Sequence, residues 1–434
     1  MGYLCDARGR KQALWMATFV ALVGGALQAG SVSVPMFLVA RWLTGYGVGN
    51  LVTLVPIMQA EISPPTSRGF LVAQHGVILV LGYAIAGWTG YGCSFASTSF
   101  QWRFPLALGC LWPLLLTASL PWIPESPRWL IYQRRSEEAY DILARLHHHD
   151  DDPNDHFARL EFTQIVQQVE VDRARSERET VWDLFRIPSY RKRMWCGFFA
   201  FFSNESSGIL VIYNYSVLIY KGLGQTGRMP LLLSAIYVTL GAFANYISSL
   251  LIDRLGRRAL FLVGLSGMLI SLICEAALWA KYAGTTDRAG LSAALFFIFL
   301  HLAFYGCCID ATSFVYAAEI FPTHIRSRGV AWSVGTLFLT TIPYLEAAPT
   351  ALANIGWKYF LVFIVITLIN IPIVYFTFPE TKGLSLEEIN SKFGDQVAIS
   401  VATSPDTADT HAKSPTYRMF LTRDGTAEKD QFTY

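Results

Sequence analysis

The sequence predicts an all-α polytopic membrane protein built from two related helical bundles, and two observations support this. The 434 residues are 53% hydrophobic and 15% charged, with a mean hydropathy of +0.37. That leaves too few charges to cover a soluble surface of this size. A three-part pattern of motifs also occurs twice in the same order. Such an internal repeat indicates a duplicated structural unit.

The first copy of the pattern consists of DARGRK at 6–11, EISPPTSRG at 61–69 and PESPR at 124–128. The second copy consists of DRLGRR at 253–258, EIFPTHIRSRG at 319–329 and PETKG at 379–383. The two copies differ in what precedes them. A long apolar stretch precedes Asp253 in its half, whereas five residues precede Asp6. By comparison with the second half, we expect the first half to lack the two helices that would precede Asp6.

Ten apolar segments are long enough to cross a bilayer, which takes about 20 residues of helix. They lie at 12–30, 34–59, 70–91, 104–122, 194–220, 230–252, 259–280, 291–317, 329–345 and 358–378. Backbone amides in lipid need internal partners, so long apolar runs without strict alternation are predicted to be helices rather than barrel strands.

The distribution of basic residues predicts that both chain ends face the cytoplasm. With the opening segment on that side, 27 of the 34 Lys and Arg residues lie in cytoplasmic segments. This asymmetry is the positive-inside signature, although most of it comes from the long central segment and the tail, where the rule is weaker.

The chain divides into four predicted parts. Residues 1–122 form an N-terminal membrane bundle, 123–193 a soluble insert of short amphipathic helices, 194–393 a C-terminal membrane bundle and 394–434 a disordered tail. The run HHHDDD at 147–152 favours a solvated loop over a metal site, because six consecutive side chains cannot easily converge on one ion. We therefore expect no metal.

The repeated motifs predict a network of charges at helix ends. In each copy a glutamate ends one helix and an arginine begins the next, and a basic turn lies earlier in the chain. Such groups can form bidentate pairs that hold one conformation and break in another. The candidate network comprises Asp6, Arg10, Lys11, Arg41, Glu61, Arg68, Asp253, Arg257, Arg258, Glu319 and Arg326. The alternative is that the basic turns only set orientation.

These motifs, together with RWLTGYGVG at 41–49 and AEIFP at 318–322, resemble those of the sugar porters of the major facilitator superfamily, and fungal members most. The resemblance covers roughly residues 1–390. It implies the major facilitator fold, which has twelve helices in two pseudo-symmetric halves; here residues 1–122 match family helices 3–6 and residues 194–393 match helices 7–12. It also implies that sugar binds between the halves and crosses by alternating access.

The resemblance also suggests which residues bind the substrate, and this sequence departs from the family pattern at several of them. The seventh-helix positions that usually carry two glutamines are Asn204 and Glu205, and Phe314 replaces a tryptophan of the tenth helix. The fifth-helix glutamine position is Gly76. The candidate substrate residues are Asn204, Glu205, Ser207, Gly208, Tyr213 and Phe314.

Two acidic residues lie within predicted membrane segments, where a charge is costly and normally serves a function. Glu205 and Asp310 are candidate proton-coupling residues. For Asp310 a buried structural role is an equal alternative. In proton-coupled members of the family the coupling acid lies on the first helix, which this sequence lacks on the comparison above.

The predicted function is therefore transport of a sugar (a hexose, a disaccharide or a related polyol) by alternating access, with proton symport as a candidate mechanism. The alternatives are a transport-inactive nutrient sensor and a non-functional truncated transporter. An enzyme is not expected, because histidine boxes, a nucleophile elbow and a phosphate loop are missing from the sequence. The expected partners are the sugar, the lipid bilayer and protons, without a cofactor or nucleic acid. The expected location is the plasma membrane.

Overall fold

The structure, a computed structural model, describes residues 5, 7–64, 67–146, 156–176, 182–282, 284–285, 287–384 and 386–395. Every regular element in this part of the chain is a helix, as the sequence predicts. Asp6, the HHHDDD run at 147–152 and residues 396–434 of the predicted tail lie outside the described residues.

The N-terminal bundle contains α1 (Arg10–Ala29), α2 (Val34–Ile62), α3 (Arg68–Cys93), α4 (Phe100–Leu108) and α5 (Leu111–Ser119). Helices α1 and α2 form its most extensive contact. A Cβ atom on Gly24 would lie 2.5 Å from the Thr44 backbone nitrogen, and one on Gly47 would lie 2.5 Å from that of Ala21. Glycine at these positions therefore lets the two backbones approach closely, which is how helices pack when lipid removes the hydrophobic drive between them.

Four short helices lie in the segment between the bundles: α6 (Pro127–Tyr132), α7 (Ser136–Leu146), α8 (His156–Ser176) and α9 (Asp183–Arg186). Leu130 from α6, Leu143 from α7 and Ile165 from α8 are buried together in a small apolar cluster. Helix α7 buries one apolar face and exposes its four charged residues, as expected for an amphipathic helix, whereas Arg128 of α6 is buried.

The C-terminal bundle is built from α10 (Pro188–Glu205), α11 (Ile209–Gly222), α12 (Met229–Leu255), α13 (Arg257–Tyr282), α14 (Arg288–Phe304), α15 (Asp310–Ile320), α16 (Thr323–Asn354) and α17 (Phe360–Thr377), followed by α18 (Leu386–Lys392). Two of its long segments are interrupted. Residues 206–208 separate α10 from α11, and Gly208 there adopts a φ of 81°, which costs glycine little. A π-helical turn, Tyr305–Ile309, separates α14 from α15. Such turns occur frequently at functional sites.

Helices cover all ten predicted membrane segments, but the count of ten spans is not confirmed. Seven helical spans of the described chain are long and apolar enough to cross a membrane by length and composition. Helix α2, the α10–α11 pair and α16 are not among them. Polar residues lower the mean hydropathy of α2, which contains Arg41 and Asn50, and of α10, which begins with PSYRKR. The break at residues 206–208 leaves α11 only 14 residues long.

The two bundles meet mainly along α3 and α12, with further contacts of α3 with α15 and of α2 with α15 and α16. On α3, a Cβ atom at Gly76 would lie 3.1 Å from the Cα of Ala311, so glycine allows α15 to approach. The Trp88 indole N–H donates to the Thr239 hydroxyl at 2.8 Å. These contacts place residues of both bundles around a shared space.

Candidate functional site

The PESPR motif completes an ion pair in the N-terminal bundle. Arg10 at the start of α1 pairs with Glu61 at the end of α2 through two N–H donors, at 2.9 and 3.0 Å. Ser126 donates to the same carboxylate. Glu125 accepts from the backbone N–H groups of Arg10 at 3.0 Å and Lys11 at 3.2 Å, which stabilises the first turn of α1. Burial raises the pKa of Glu125, and these backbone donors oppose the rise.

The PETKG motif completes the same arrangement in the C-terminal bundle. Arg257 at the start of α13 pairs with Glu319 near the end of α15, at 3.1 and 2.8 Å. Thr381 donates to the Glu319 carboxylate at 2.8 Å. Glu380 accepts from the backbone N–H groups of Arg257 at 2.9 Å and Arg258 at 3.0 Å. The two copies of the motif pattern therefore build two matching clusters, contact by contact.

A glycine with positive φ stands before the arginine in both clusters. Gly9 has a φ of 95° and Gly256 a φ of 92°. A Cβ atom at Gly9 would lie 2.5 Å from a Glu125 carboxylate oxygen, and one at Gly256 would lie 2.7 Å from a Glu380 oxygen. Glycine is thus needed at each position for two reasons: the backbone conformation and the close approach of the carboxylate.

Two contacts join the two bundles at the end of the molecule where both clusters lie. We call this end, which contains Arg10, Glu61, Arg257 and Glu319, the motif end. Arg326 of α16 donates to Glu61 of α2 at 3.1 Å, and both side chains are fully buried. The backbone N–H of Phe70 in α3 donates to Asp253 of α12 at 2.7 Å, and Asp253 also pairs with Arg257 at 3.0 Å. Removing one partner of a buried pair is strongly destabilising. The bundles are therefore held together at the motif end.

Most of the predicted network meets at the motif end. The side chains that meet there are Arg10, Glu61, Asp253, Arg257, Glu319 and Arg326. Lys11 and Arg258 contribute their backbone N–H groups. Arg41 is exposed on α2, about 30 Å from Glu61 along the helix axis at 1.5 Å per residue, which corrects the prediction for this residue. Asp6 and the side chain of Arg68 lie outside the described part of the structure.

A cavity of about 110 Å³ lies between the bundles. Its walls come from α2 and α3 on one side and from the C-terminal bundle on the other. Six lining residues carry polar groups: Tyr83, Glu205, Tyr213, Asn245, Tyr305 and Asp310. The described residues that line it include no Lys, Arg or His. The lining is therefore mainly apolar, with several aromatic rings and two carboxyl groups that no cationic side chain of the described lining balances.

Both carboxyl groups of the cavity are buried, and both make hydrogen bonds. One oxygen of Asp310 accepts from the Asn245 amide at 3.0 Å, and the other lies 3.2 Å from the Tyr305 hydroxyl. One oxygen of Glu205 lies 3.0 Å from the Thr341 hydroxyl. Buried polar groups need such partners because leaving one unpaired is costly.

The structure places the six predicted substrate residues in two groups. Glu205, Tyr213 and Phe314 line the cavity, whereas Asn204, Ser207 and Gly208 are not part of its wall. Asn204 lies behind Tyr305, whose hydroxyl is 2.9 Å from the amide oxygen. The Ser207 hydroxyl donates to the Asn204 backbone carbonyl at 2.7 Å. The second group therefore shapes the break between α10 and α11.

Several residues of both sites were missed by sequence reasoning. At the motif end these are Glu125, Ser126, Glu380 and Thr381, although PESPR and PETKG were recognised as repeated motifs. In the cavity they are Tyr83, Asn245 and Tyr305. Asn245 could have been found as an amide inside an apolar segment, which is costly unless it has a role. The two tyrosines carry no comparable signal among the 20 in the chain.

Nearly the whole described chain is similar to known transporter proteins. A model of the sugar (and other) transporter family matches residues 1–393. The MFS-type transporter criB of Aspergillus cristatus is 35% identical over 402 residues, which cover 93% of this chain and 82% of the relative. The sugar transporter STL1 of Saccharomyces cerevisiae is 30% identical, covering 90% of this chain and 68% of its own length.

Among solved structures, the fold matches the proton:xylose symporter XylE bound to 6-bromo-6-deoxy-D-glucose, with a TM-score of 0.79 at 22% identity, over 90% of this chain and 85% of that one. The inward-open conformation of XylE from E. coli gives a lower TM-score of 0.62. The motif end of this structure, where buried contacts join the bundles, is closed. From the family match and the fold together, the chain belongs to the sugar (and other) transporter family and has the major facilitator fold of a membrane sugar porter.

Proposed function

We propose that this chain carries a small polyhydroxylated solute, a sugar or a polyol, across a membrane by alternating access. One observation carries the proposal: a cavity walled by both bundles lies beside a motif end that buried contacts between the bundles hold closed. If these contacts break, the bundles can separate there and open the cavity toward that end. The positive-inside bias supports the motif end as the cytoplasmic one. The plasma membrane is the location that we propose.

The chemistry of the cavity supports a sugar or polyol as the solute. Rings of Tyr83, Tyr213 and Phe314 offer apolar faces, and the Asn245 amide and the Glu205 carboxyl offer hydrogen-bonding groups. A site that combines aromatic faces with a few polar groups suits a small molecule bearing both C–H faces and hydroxyls. The names of the relatives STL1 and XylE point to the same class of substrate.

Protons are the proposed co-substrate. Two carboxyl groups, Glu205 and Asp310, face a cavity whose described lining contains no basic residue. Carboxyl groups in such a place cannot both stay ionised at low cost, because like charges and desolvation favour the protonated form. Either group can therefore bind and release a proton when the cavity opens to one side or the other.

Uptake into proteoliposomes tests the proposal. Purified protein is assayed with a labelled hexose, a labelled pentose and a labelled linear polyol, and empty vesicles give the background. We expect saturable uptake of at least one solute, with reduced apparent affinity in Phe314→Ala because a cavity ring is lost. The matched control is Phe296→Ala, which removes a ring that is 60% exposed on the outer surface of α14 and should leave uptake unchanged.

Two results would count against the proposal. Absence of flux for every solute would remove the transport function, and saturable binding without flux would favour the nutrient-sensor alternative. Equal losses in Phe314→Ala and Phe296→Ala would instead remove the cavity as the solute site.

A further inference from the structure

A line of hydrogen bonds connects Asp310 to the break between α10 and α11. The Ser313 hydroxyl donates to the Ile309 carbonyl at 2.8 Å, so its oxygen accepts from the Asn204 amide nitrogen at 3.1 Å. This orients the Asn204 side-chain oxygen toward the Tyr305 hydroxyl, 2.9 Å away. The same hydroxyl lies 3.2 Å from an Asp310 carboxyl oxygen.

Counting the protons available along this line of hydrogen bonds indicates the protonation state of the Asp310 carboxyl group. A tyrosine hydroxyl has one proton to donate. If Asp310 were ionised, the Tyr305 hydroxyl would face two acceptors, its carboxylate and the Asn204 oxygen, and one would go without a donor. If Asp310 is protonated, it donates to the Tyr305 oxygen and Tyr305 donates to Asn204. Only the protonated form satisfies Asp310, Tyr305 and Asn204 together, and an unsatisfied buried acceptor is costly.

The same counting applies to Glu205. The Thr341 hydroxyl lies 2.7 Å from the Leu337 carbonyl and 3.0 Å from the Glu205 carboxyl. Its single proton serves either acceptor, and the Leu337 carbonyl already accepts a backbone N–H within α16, so this contact is complete whether or not Glu205 is protonated. Glu205 differs from Asp310 in its connections, because Thr341 leads only to the backbone of its own helix, whereas Tyr305 leads to Asn204 and the helix break.

The ionisable groups that face Asp310 come from several elements. Tyr83 faces it from α3, Glu205 from α10 and Tyr305 from the π-helical turn, while α12 contributes the neutral Asn245 amide. None of these groups is a cation. Ionised Asp310 is therefore stabilised by two neutral donors, Asn245 and a reoriented Tyr305, and by water once the cavity opens.

We propose that Asp310 carries the proton that drives solute accumulation, and that Tyr305 passes its charge state to Asn204; this rests on the proposed transport function. When the cavity opens to the side of lower proton activity, the carboxyl proton leaves to water. The Tyr305 proton then turns from Asn204 to the carboxylate. Asn204 loses its donor at the end of α10, where residues 206–208 and Gly208 allow the segment to move.

The test separates coupling from transport in one preparation. Proteoliposomes with a pH gradient of one unit, acidic outside, should accumulate solute up to about tenfold if one proton moves with each solute molecule. Equilibrium exchange, with labelled solute on one side and unlabelled on the other and no gradient, reports transport alone. Internal pyranine fluorescence reports proton entry when solute is added.

We expect Asp310→Asn to lose accumulation and solute-dependent proton entry by a factor at least severalfold larger than any loss of exchange. Tyr305→Phe should likewise reduce accumulation at least severalfold more than exchange. The matched control is Glu275→Gln, which makes the corresponding carboxyl-to-amide change at a fully buried acid of α13 outside the cavity lining. It should keep both accumulation and exchange.

Three outcomes would overturn the inference. The first is full accumulation in Asp310→Asn, and the second is an equal loss of exchange and accumulation in folded Asp310→Asn, which would mean a structural role. The third outcome applies if Asp310→Asn does not fold: accumulation at the wild-type level in Tyr305→Phe would then overturn the inference. Absence of exchange in the wild type is distinguishable from all of these, because it removes the proposed function itself.

Discussion

Replacing Arg326 with methionine should shift the protein from the closed motif end toward an open one. Only contacts that differ between two conformations change the equilibrium between them. The 3.1 Å bond from Arg326 to Glu61 in the other bundle is such a contact. The bond from Arg326 to the Phe321 carbonyl, also 3.1 Å, lies within its own bundle and cancels in the comparison.

The magnitude follows from what remains in Arg326→Met. Glu61 keeps its two bonds to Arg10, so no unpaired carboxylate is left behind. Loss of the charge-assisted hydrogen bond between Arg326 and Glu61 in a buried setting costs about 1.5 to 3 kcal/mol. At 1.4 kcal/mol per factor of ten, the ratio of open to closed molecules should rise about 10- to 150-fold. A wild type that is about 1% open would become about 10 to 60% open.

Electron–electron double resonance measures this shift directly. Spin labels are placed at Ala7 and Arg254, which are exposed and occupy equivalent positions in DARGRK and DRLGRR, in a background without the native cysteines. We expect a second, longer distance in Arg326→Met. The control is Arg135→Met, which breaks an exposed pair with Glu138 within α7 and its flank and makes no contact between the bundles. An Arg326→Met distribution identical to those of wild type and control would refute the closure role of this contact.

Three further predictions concern stability, measured by thermal unfolding in detergent. Ser126→Ala removes a hydroxyl donor from the buried Glu61 carboxylate and should destabilise by about 1 to 3 kcal/mol; no change in the unfolding temperature would show that the bond contributes little. Gly256→Ala places a Cβ at a φ of 92° and should cost about 1 to 3 kcal/mol, whereas Gly90→Ala, where the space is open, should be neutral or stabilising. Glu275→Gln should leave stability unchanged or raise it, because neither carboxyl oxygen has a hydrogen-bond partner in the described structure; a large loss would indicate a partner for the ionised form.

The repeated sequence motifs predict part of the motif-end clusters. The sequence predicts that Arg10 and Glu61, and separately Arg257 and Glu319, lie at helix ends where ion pairs can form, and those pairs are present. The repeat carries this prediction because a motif retained in two copies at helix ends imposes the same local geometry twice. PESPR and PETKG were recognised without their role, since a motif's position along the chain does not reveal which neighbouring helix it caps.

The residues of the cavity are harder to predict from the sequence than those of the motif-end clusters. The family resemblance predicts Asn204 and Ser207 as substrate residues, yet Tyr305 lies between Asn204 and the cavity. Two interruptions, at residues 206–208 and in the π-helical turn Tyr305–Ile309, rotate the faces of the helices that follow them. A regular period of 3.6 residues cannot be carried across such a break.

The helical class and the placement of helices along the chain follow from composition and pattern, because a backbone in lipid must satisfy its own hydrogen bonds and a long apolar run does so as a helix. The neighbours of each helix do not follow in this way. Arg326 reaching Glu61, and Asp310 reaching Tyr305 and Asn245, depend on how separate helices pack against one another. That packing is set by small residues at close contacts and by breaks in the helices, so these contacts could be identified only with all the helices in place.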